Sequence, residues 1–397
     1  MNRAWRFRLY PSKIQQQKLN HYLYECKNLW NFLLEHTKKH YKKTGKFPTR
    51  KELYLLTKKK GVFSQVAQNV AYRLTNSLKR YGAKKKTGKK IGFPRFKQTN
   101  RMKSFTYPQF GFKLEEKLEL SDVGNIAIKK HRSIQGKIKT LTIKQSPSGK
   151  WFTTFTSEIK KPTIKKKQRM AVGIDLGIEH FAYLSDGTTI ANPRHLKQVE
   201  RRLAKTQRQF SKKKKGSKNR KKAKLKVAIV YEKLTNRRSD FLHKITRKLT
   251  DNYQFIALEN LNVNALAKGF LAKHVLDCGW AEFSSMLQYN AEVACSEVIL
   301  VDHSQTSSKC SSCGLMQKKT LAERWHECSC GISIHRDLNA ARNILKRATL
   351  RLTNHPQNSC EQKLTSTAGT VGSNACGEET STYYKYNGQV SSRNQEA

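Results

Sequence analysis

Apolar positions along the chain change period several times, and each change marks an element. Residues 3–10 alternate apolar and basic side chains, which predicts a strand that Pro11 ends. Ser12 followed by Gln15 is a capping-box pattern, and Leu19, Leu23, Cys26, Trp30 and Leu33 then recur at the spacing of one helix face. Phe63, Val66, Val70, Leu74, Leu78 and Tyr81 predict a second amphipathic helix, with Gln65, Gln68, Asn69, Arg73 and Asn76 on its polar side. Such a face is ordinarily solvated, although amides and arginine are also the groups that read base edges in a groove. From about residue 105 the period falls to two. Short strands are expected at 105–107, 110–114, 126–128, 138–144 and 151–159, with turns between them such as Ser146-Pro-Ser-Gly149. This is the pattern of a small β-barrel. Because strand 3–10 precedes the helices, the helical block reads as an insertion within that barrel.

Past a charged linker at 160–169, an apolar strand at 170–177 carries Asp175 near its end. Residues 181–184, a Ser185-Asp-Gly187 turn and residues 188–190 complete a three-stranded meander, the opening of a ribonuclease-H-like fold. The pattern is helical over 194–250, where ten of the sixteen residues in 211–226 are Lys or Arg and Phe241, Ile245 and Leu249 supply an apolar stripe. A buried strand from 255 again ends on an acid, Glu259, before helix 281–296 and strand 298–301. The fold class expected is α/β and multidomain.

Charge narrows the function. The 397 residues carry 79 Lys and Arg against 28 Asp and Glu, a formal net charge of +51. Self-repulsion on that scale opposes folding unless a polyanion neutralises it, so the expected partner is nucleic acid with many phosphate contacts. Phosphate-backbone contact is assigned to Lys212, Lys213, Lys214, Lys215, Lys218, Arg220 and Lys221. Basic residues occur throughout the chain, with no run of eighteen apolar residues and no signal-peptide core, so no membrane and a reducing cytoplasm are expected. In that compartment nine cysteines, four of them clustered, suit metal binding better than disulfides.

The cluster is Cys310-Ser-Ser-Cys313 and Cys328-Ser-Cys330. Two close pairs across a short loop are the spacing of a closed, structural four-cysteine zinc site. A histidine, His326 or His335, is the alternative fourth ligand. Closed coordination leaves the chemistry elsewhere. Asp337 opens a helix just beyond; alone it would read as an N-cap, but Asp175 and Glu259 give it company. Three carboxylates are hard ligands that could hold two Mg²⁺ or Mn²⁺ ions for phosphodiester hydrolysis. The turn Gly173-Ile-Asp-Leu-Gly177 also matches a phosphate-gripping ATPase motif, yet a second such turn and a duplicated half are missing from the sequence.

Together these residues resemble the TnpB (OrfB) family of insertion-sequence proteins. The resemblance rests on Arg8-Leu-Tyr-Pro11, Gly92-Phe-Pro-Arg-Phe96, Gly173-Ile-Asp-Leu-Gly177, Leu258-Glu-Asn-Leu261, the four cysteines and Arg336-Asp-Leu-Asn-Ala-Ala-Arg-Asn-Ile344. It implies a wedge β-barrel (1–11 and 91–165), a helical recognition domain (12–90), and a RuvC nuclease (170–304 and 333–348) with the basic insertion 194–250 and a zinc ribbon at 305–332. It implies a guide RNA made from the transposon end, one protein per RNA, double-stranded DNA as target, and a short adjacent motif faced by the region of Gln68, Asn69 and Arg73. Asp175, Glu259 and Asp337 become the three RuvC acids. The competing expectations are an RNA-guided repressor that binds without cutting and a transposase accessory protein. Residues 349–397, rich in Ser, Thr, Asn and Gln, are expected to be a poorly ordered tail.

Overall fold

The protein is described from a computed structural model covering residues 1–58, 61–83, 92–98, 101–160, 169–302, 304–318, 320 and 323–354. The lysine-rich link at 84–90, most of the expected linker at 160–169 and the expected tail beyond 354 lie outside the described residues. The chain divides into two compact units, residues 1–146 with 150–159, and a second that runs on from 160.

In the first unit, β1 (Asn2–Tyr10) leads into α1 (Lys13–Thr44), whose Ser12–Gln15 capping box forms as expected. A short α2 (Arg50–Leu55) and α3 (Ser64–Gly82) follow, then β2 (Ser104–Tyr107), β3 (Phe112–Leu114), β4 (Leu118–Leu120), β5 (Gly124–Lys129), β6 (Lys137–Gln145) and β7 (Trp151–Glu158). The strands form one sheet in the order β2-β6-β7-β1-β5-β4-β3, antiparallel throughout. Its two edge strands, β2 and β3, are joined by only four residues, so the sheet has to curl until its edges meet. Tyr107 on one edge and Phe112 on the other lie 6.3 Å apart between ring centroids, which makes the sheet a nearly closed barrel.

The helical block has no core of its own. Leu19, Leu23, Leu33 and Leu74 share one buried cluster with Trp5, Phe7, Phe105, Tyr107 and Phe155 of the barrel. Tyr22 of α1 packs on Phe105, and Phe63 before α3 packs on Tyr107. One core spares each part the cost of covering an apolar face alone.

The second unit opens with β8 (Arg169–Leu176), β9 (His180–Leu184) and β10 (Thr189–Ala191), the expected meander. The basic region forms two helices, α4 (His195–Ser211) and α5 (Lys218–Asn252), joined by a turn through Gly216. Then come β11 (Tyr253–Glu259), the short α6 (Val263–Leu266) and α7 (Ala272–Cys278), α8 (Trp280–Ala294) and β12 (Glu297–Val301). A two-stranded ribbon, β13 (Trp325–Glu327) and β14 (Ser333–His335), precedes α9 (Arg336–Asn354), which runs into the region expected to be a tail.

The five-stranded sheet has the order β10-β9-β8-β11-β12, with β8, β11 and β12 parallel and β9 and β10 antiparallel. Ile174, Ile256 and Leu258 bury one face with Leu242 of α5 and Phe283 and Leu287 of α8. Alternate positions Ala257, Ile299 and Val301 face Ile344 and Ala348 of α9 on the other. Leu242 and Leu249 thus make the second half of α5 a wall of the core, while its first half carries the lysines. Among the described residues no helix is long and apolar enough to cross a membrane.

Candidate functional site

The sheet's register brings two of the acids together. β11 pairs with β8 so that Leu258 lies opposite Ile174, and the next rung carries Glu259 and Asp175 on neighbouring parallel strands roughly 4.8 Å apart. By alternation both side chains leave the sheet on the face that α9 covers. That helix sits unusually low because residue 173 is glycine: a Cβ there would lie 2.1 Å from the carbonyl oxygen of Ala341 and 2.8 Å from the backbone nitrogen of Leu345. Ala341 is one turn into α9 from Asp337, so the close crossing brings the helix start over the strand ends.

The electrostatics agree. Burial pushes the Asp175 carboxyl well above the usual aspartate range, and the charges of Glu259 and then Asp337 push it further; Arg336 and the Leu176 N–H act against them. Three carboxylates crowded where water is scarce are an arrangement that a multivalent cation would relieve. Among the described residues, only the four cysteines bring the ligand atoms of three or more His, Cys, Asp or Glu side chains within 4.8 Å of one another. The acids interact over a longer range than that.

Around the acids, Glu259 is buried and accepts a 2.6 Å hydrogen bond from the Thr306 hydroxyl. The backbone N–H of Asp337 donates to Nδ1 of His335 at 3.3 Å, and the His335 ring stacks on Tyr183 at 4.8 Å. Tyr183 lies opposite Asp175 in the β8–β9 register. Burial, then the charge of Asp337, raises the Tyr183 phenol above its ordinary value, so it stays a neutral wall of the site.

The cysteine site is built as its spacing predicts. Cys310, Cys313, Cys328 and Cys330 converge, with Sγ–Sγ distances of 3.8 Å between Cys310 and Cys330 and 3.5 Å between Cys313 and Cys328. A zinc–sulfur bond of about 2.3 Å in a tetrahedron requires sulfurs about 3.8 Å apart, so the four thiols fit a zinc ion. Burial raises the Cys310 thiol, but the Cys313 N–H, the neighbouring His326 ring and the Ser312 N–H bring it down to about 5, whereas Cys313, lowered by the Leu315 N–H but raised by the Cys328 thiol, is held up at about 11. His326 is buried beside this cluster, whereas His335 belongs to the acids; with four thiols present, neither is required as a ligand.

The residues assigned to nucleic acid divide. Lys212, Lys213, Lys214, Lys215, Lys218 and Lys221 are exposed around the α4–α5 turn. Arg220 instead folds back, donating to the carbonyls of Phe210 and Lys213 and covering the Phe210 ring at 4.2 Å, which holds the turn. Gln68 is exposed beside a pocket lined by Tyr54, Thr57 and Ser64. Two members of that expected face are drawn into the fold: Asn69 is buried, and Arg73 donates to the carbonyl and hydroxyl of Ser104 and, at 2.6 Å, to the Thr106 hydroxyl, tying α3 to β2.

Sequence reasoning passed over Asn339 and Asn343. Both are buried on α9: the Ser311 N–H donates to Asn339, which donates to Lys309 O, while Asn343 donates to Thr306 O and Lys309 O. Their signal was two amides four residues apart beside the apolar positions Ala340, Ala341, Ile344 and Ala348.

Family models match along the chain: one described as a probable transposase over residues 154–269, and a Cas12f1-like TNB domain over 280–344. Both matches agree with the resemblance of the sequence to the TnpB (OrfB) family. A helix-turn-helix model also matches residues 1–46, which here form β1 and the single helix α1. Among its relatives, a Streptomyces pristinaespiralis protein named as a candidate RNA-guided DNA endonuclease is 43% identical over 209 residues, 52% of each chain. The chain thus spans about half of that relative's length. InsQ of Escherichia coli K12, named in the same way, is 29% identical over 368 residues, 86% of this chain and 91% of InsQ. The Cas12f1 protein of a Cas12f1–sgRNA–target DNA complex superposes with a TM-score of 0.55 at 13% identity, covering 83% of this chain and 81% of that one, a likeness of fold.

Proposed function

We propose that this protein is an RNA-guided DNA endonuclease that cuts double-stranded DNA beside a short target-adjacent motif, with its RuvC-type nuclease in the second unit. The observation that carries the reading is the approach of Asp175, Glu259 and the start of α9 at the C-terminal ends of two inner strands of a mixed five-stranded sheet. Relatives named for RNA-guided cleavage and the net charge of +51 support it.

In this reading Asp175, Glu259 and Asp337 hold two Mg²⁺ or Mn²⁺ ions, which would activate a water and stabilise the leaving oxygen of the phosphodiester. The chain's own part is to fix those acids. β8 and β11 set two of them side by side on one rung, and Gly173 lets α9 deliver the third. Burial and the charges of Glu259 and Asp337 raise the Asp175 carboxyl, a repulsion that bound cations would relieve. The four cysteines hold a structural zinc. The exposed lysines of the α4–α5 turn neutralise RNA phosphates, and base pairing with a guide derived from the transposon end supplies sequence choice, with one protein per RNA in a prokaryotic cytoplasm.

The decisive test is plasmid cleavage by the purified protein with its copurified RNA. The wild type is expected to linearise a matched target in Mg²⁺ and not in EDTA, while Asp175→Ala binds RNA and target yet leaves the plasmid intact. Sequenced RNA should show one length matching DNA downstream of the gene. Target binding without cutting by the wild type would replace this reading with an RNA-guided repressor, and joined rather than hydrolysed ends would revive strand transfer.

A further inference from the structure

Between β12 and the first cysteine the chain makes an unusual return. Gln305 adopts a left-handed conformation, φ 58°, and turns the backbone so that Thr306 comes back over the end of β11. There Thr306 is buried, and its hydroxyl donates to Oε1 of Glu259 at 2.6 Å. The carbonyl of the same residue accepts from Asn343 at 2.8 Å. Four residues on, Cys310 enters the cysteine cluster, flanked by Lys309 O and Ser311 N, which Asn339 and Asn343 hold to α9. The first turn of that helix carries Asp337. One short segment therefore touches Glu259 by a side chain, α9 by its backbone and the cysteine cluster by residue 310.

We infer that Thr306 is a positioning residue for Glu259: it fixes the torsion of the carboxylate for divalent-cation binding and, through Asn343, locks that acid to the cysteine knuckle. Thr306 itself touches no cation. A carboxylate on a long side chain has three torsions to settle before it can ligate, and a hydroxyl on a residue whose own carbonyl is anchored to α9 removes that freedom. The inference rests on the three-acid reading above and adds a residue that reading does not name.

The test uses the full chain with Thr306→Val, which keeps the shape and loses the hydroxyl, and Thr306→Ser, which keeps the hydroxyl. Thr306→Ala is measured beside them in case valine disturbs the packing. Mn²⁺ binding is followed by the resonance of the free ion, zinc content by elemental analysis, and cleavage as a function of Mg²⁺ concentration. Loss of an outer hydrogen bond to a metal-holding group costs about ten- to a hundredfold in affinity. Valine and alanine variants are expected to need that much more Mn²⁺ and Mg²⁺ while retaining one zinc per chain, with serine close to wild type. Mn²⁺ affinity unchanged by valine and alanine overturns the inference, as does a serine variant as weak as valine. Should the wild type bind Mn²⁺ and cut nothing, the endonuclease reading fails and the Mn²⁺ series still decides the role of Thr306.

Discussion

Gly173→Ala tests the packing on which the acid site depends. The added methyl would lie 2.1 Å from Ala341 O and 2.8 Å from Leu345 N, both backbone atoms of α9 with no rotamer to escape into. Ordinary contact needs about 3.5 Å, so the helix must lift by more than about 1 Å. Overpacking of this kind costs about 1–3 kcal/mol, which for a unit of this size lowers the melting temperature by roughly 2–12 °C. Function should suffer more. A displacement of about 1 Å at a reacting group costs about a hundredfold in rate, and Asp337 rides on the part of α9 that has to move. Differential scanning calorimetry and single-turnover cleavage measure the two effects. Gly269→Ala serves as control, because a methyl there meets only Leu266 O at 3.7 Å. If Gly173→Ala melts and cuts like that control, α9 does not cross β8 at residue 173 and this account of how Asp337 is delivered is wrong.

Asp175→Asn should abolish cleavage yet stabilise the cation-free protein at neutral pH. Because the folded carboxyl titrates above its unfolded value, the contribution of Asp175 to stability in EDTA is fully present below the ordinary aspartate range and is lost as pH rises through the raised one; the variant lacks that fall, and a lower melting point than wild type at pH 7.5 in EDTA would refute the assigned cause. Mg²⁺ should then raise the melting point of the wild type and leave the variant nearly unmoved. Cys310→Ser is expected to lose the bound zinc and, through the Lys309 and Ser311 anchors, to weaken Mn²⁺ binding, whereas full zinc content in that variant would count against a four-thiolate site. Replacing Lys212, Lys213, Lys214 and Lys215 by alanine should reduce the slope of log affinity for RNA against log salt by up to about 3, read by filter binding across a salt series. An unchanged slope would move the RNA away from the α4–α5 turn.

The larger units were legible because burial imposes a period. Continuous apolar runs gave β8 and β11, the alternation over 105–159 gave the barrel strands, and Asp175 and Glu259 stood out because each closed a buried strand without serving a turn, whereas Asp337, at a helix start, stood out only in their company. Legibility failed where the partner is distant in the chain. A polar helix face looks the same whether water or another strand covers it, so Asn69 and Arg73 read as surface although α3 packs against β2 there. Arg220 read as one more cation in a run, yet its guanidinium serves the fold of its own turn. The three-residue strand β4 is too short to show a period. Thr306, Asn339 and Asn343 bond mostly to main-chain atoms or across more than thirty residues, and residue type alone carries no trace of that.

The anchoring of the cysteine loop bears on how freely it can vary. Asn339 and Asn343 grasp it by two carbonyls and one amide, so the helix recognises a backbone path and is indifferent to the side chains displayed along 307–309. Such a joint accepts foreign sequence of the same length while rejecting an insertion or deletion of even one residue between Thr306 and Ser311. Diversification of this finger during descent, or by a protein engineer, is therefore channelled into the span beyond Cys313, where added length does not disturb the grip.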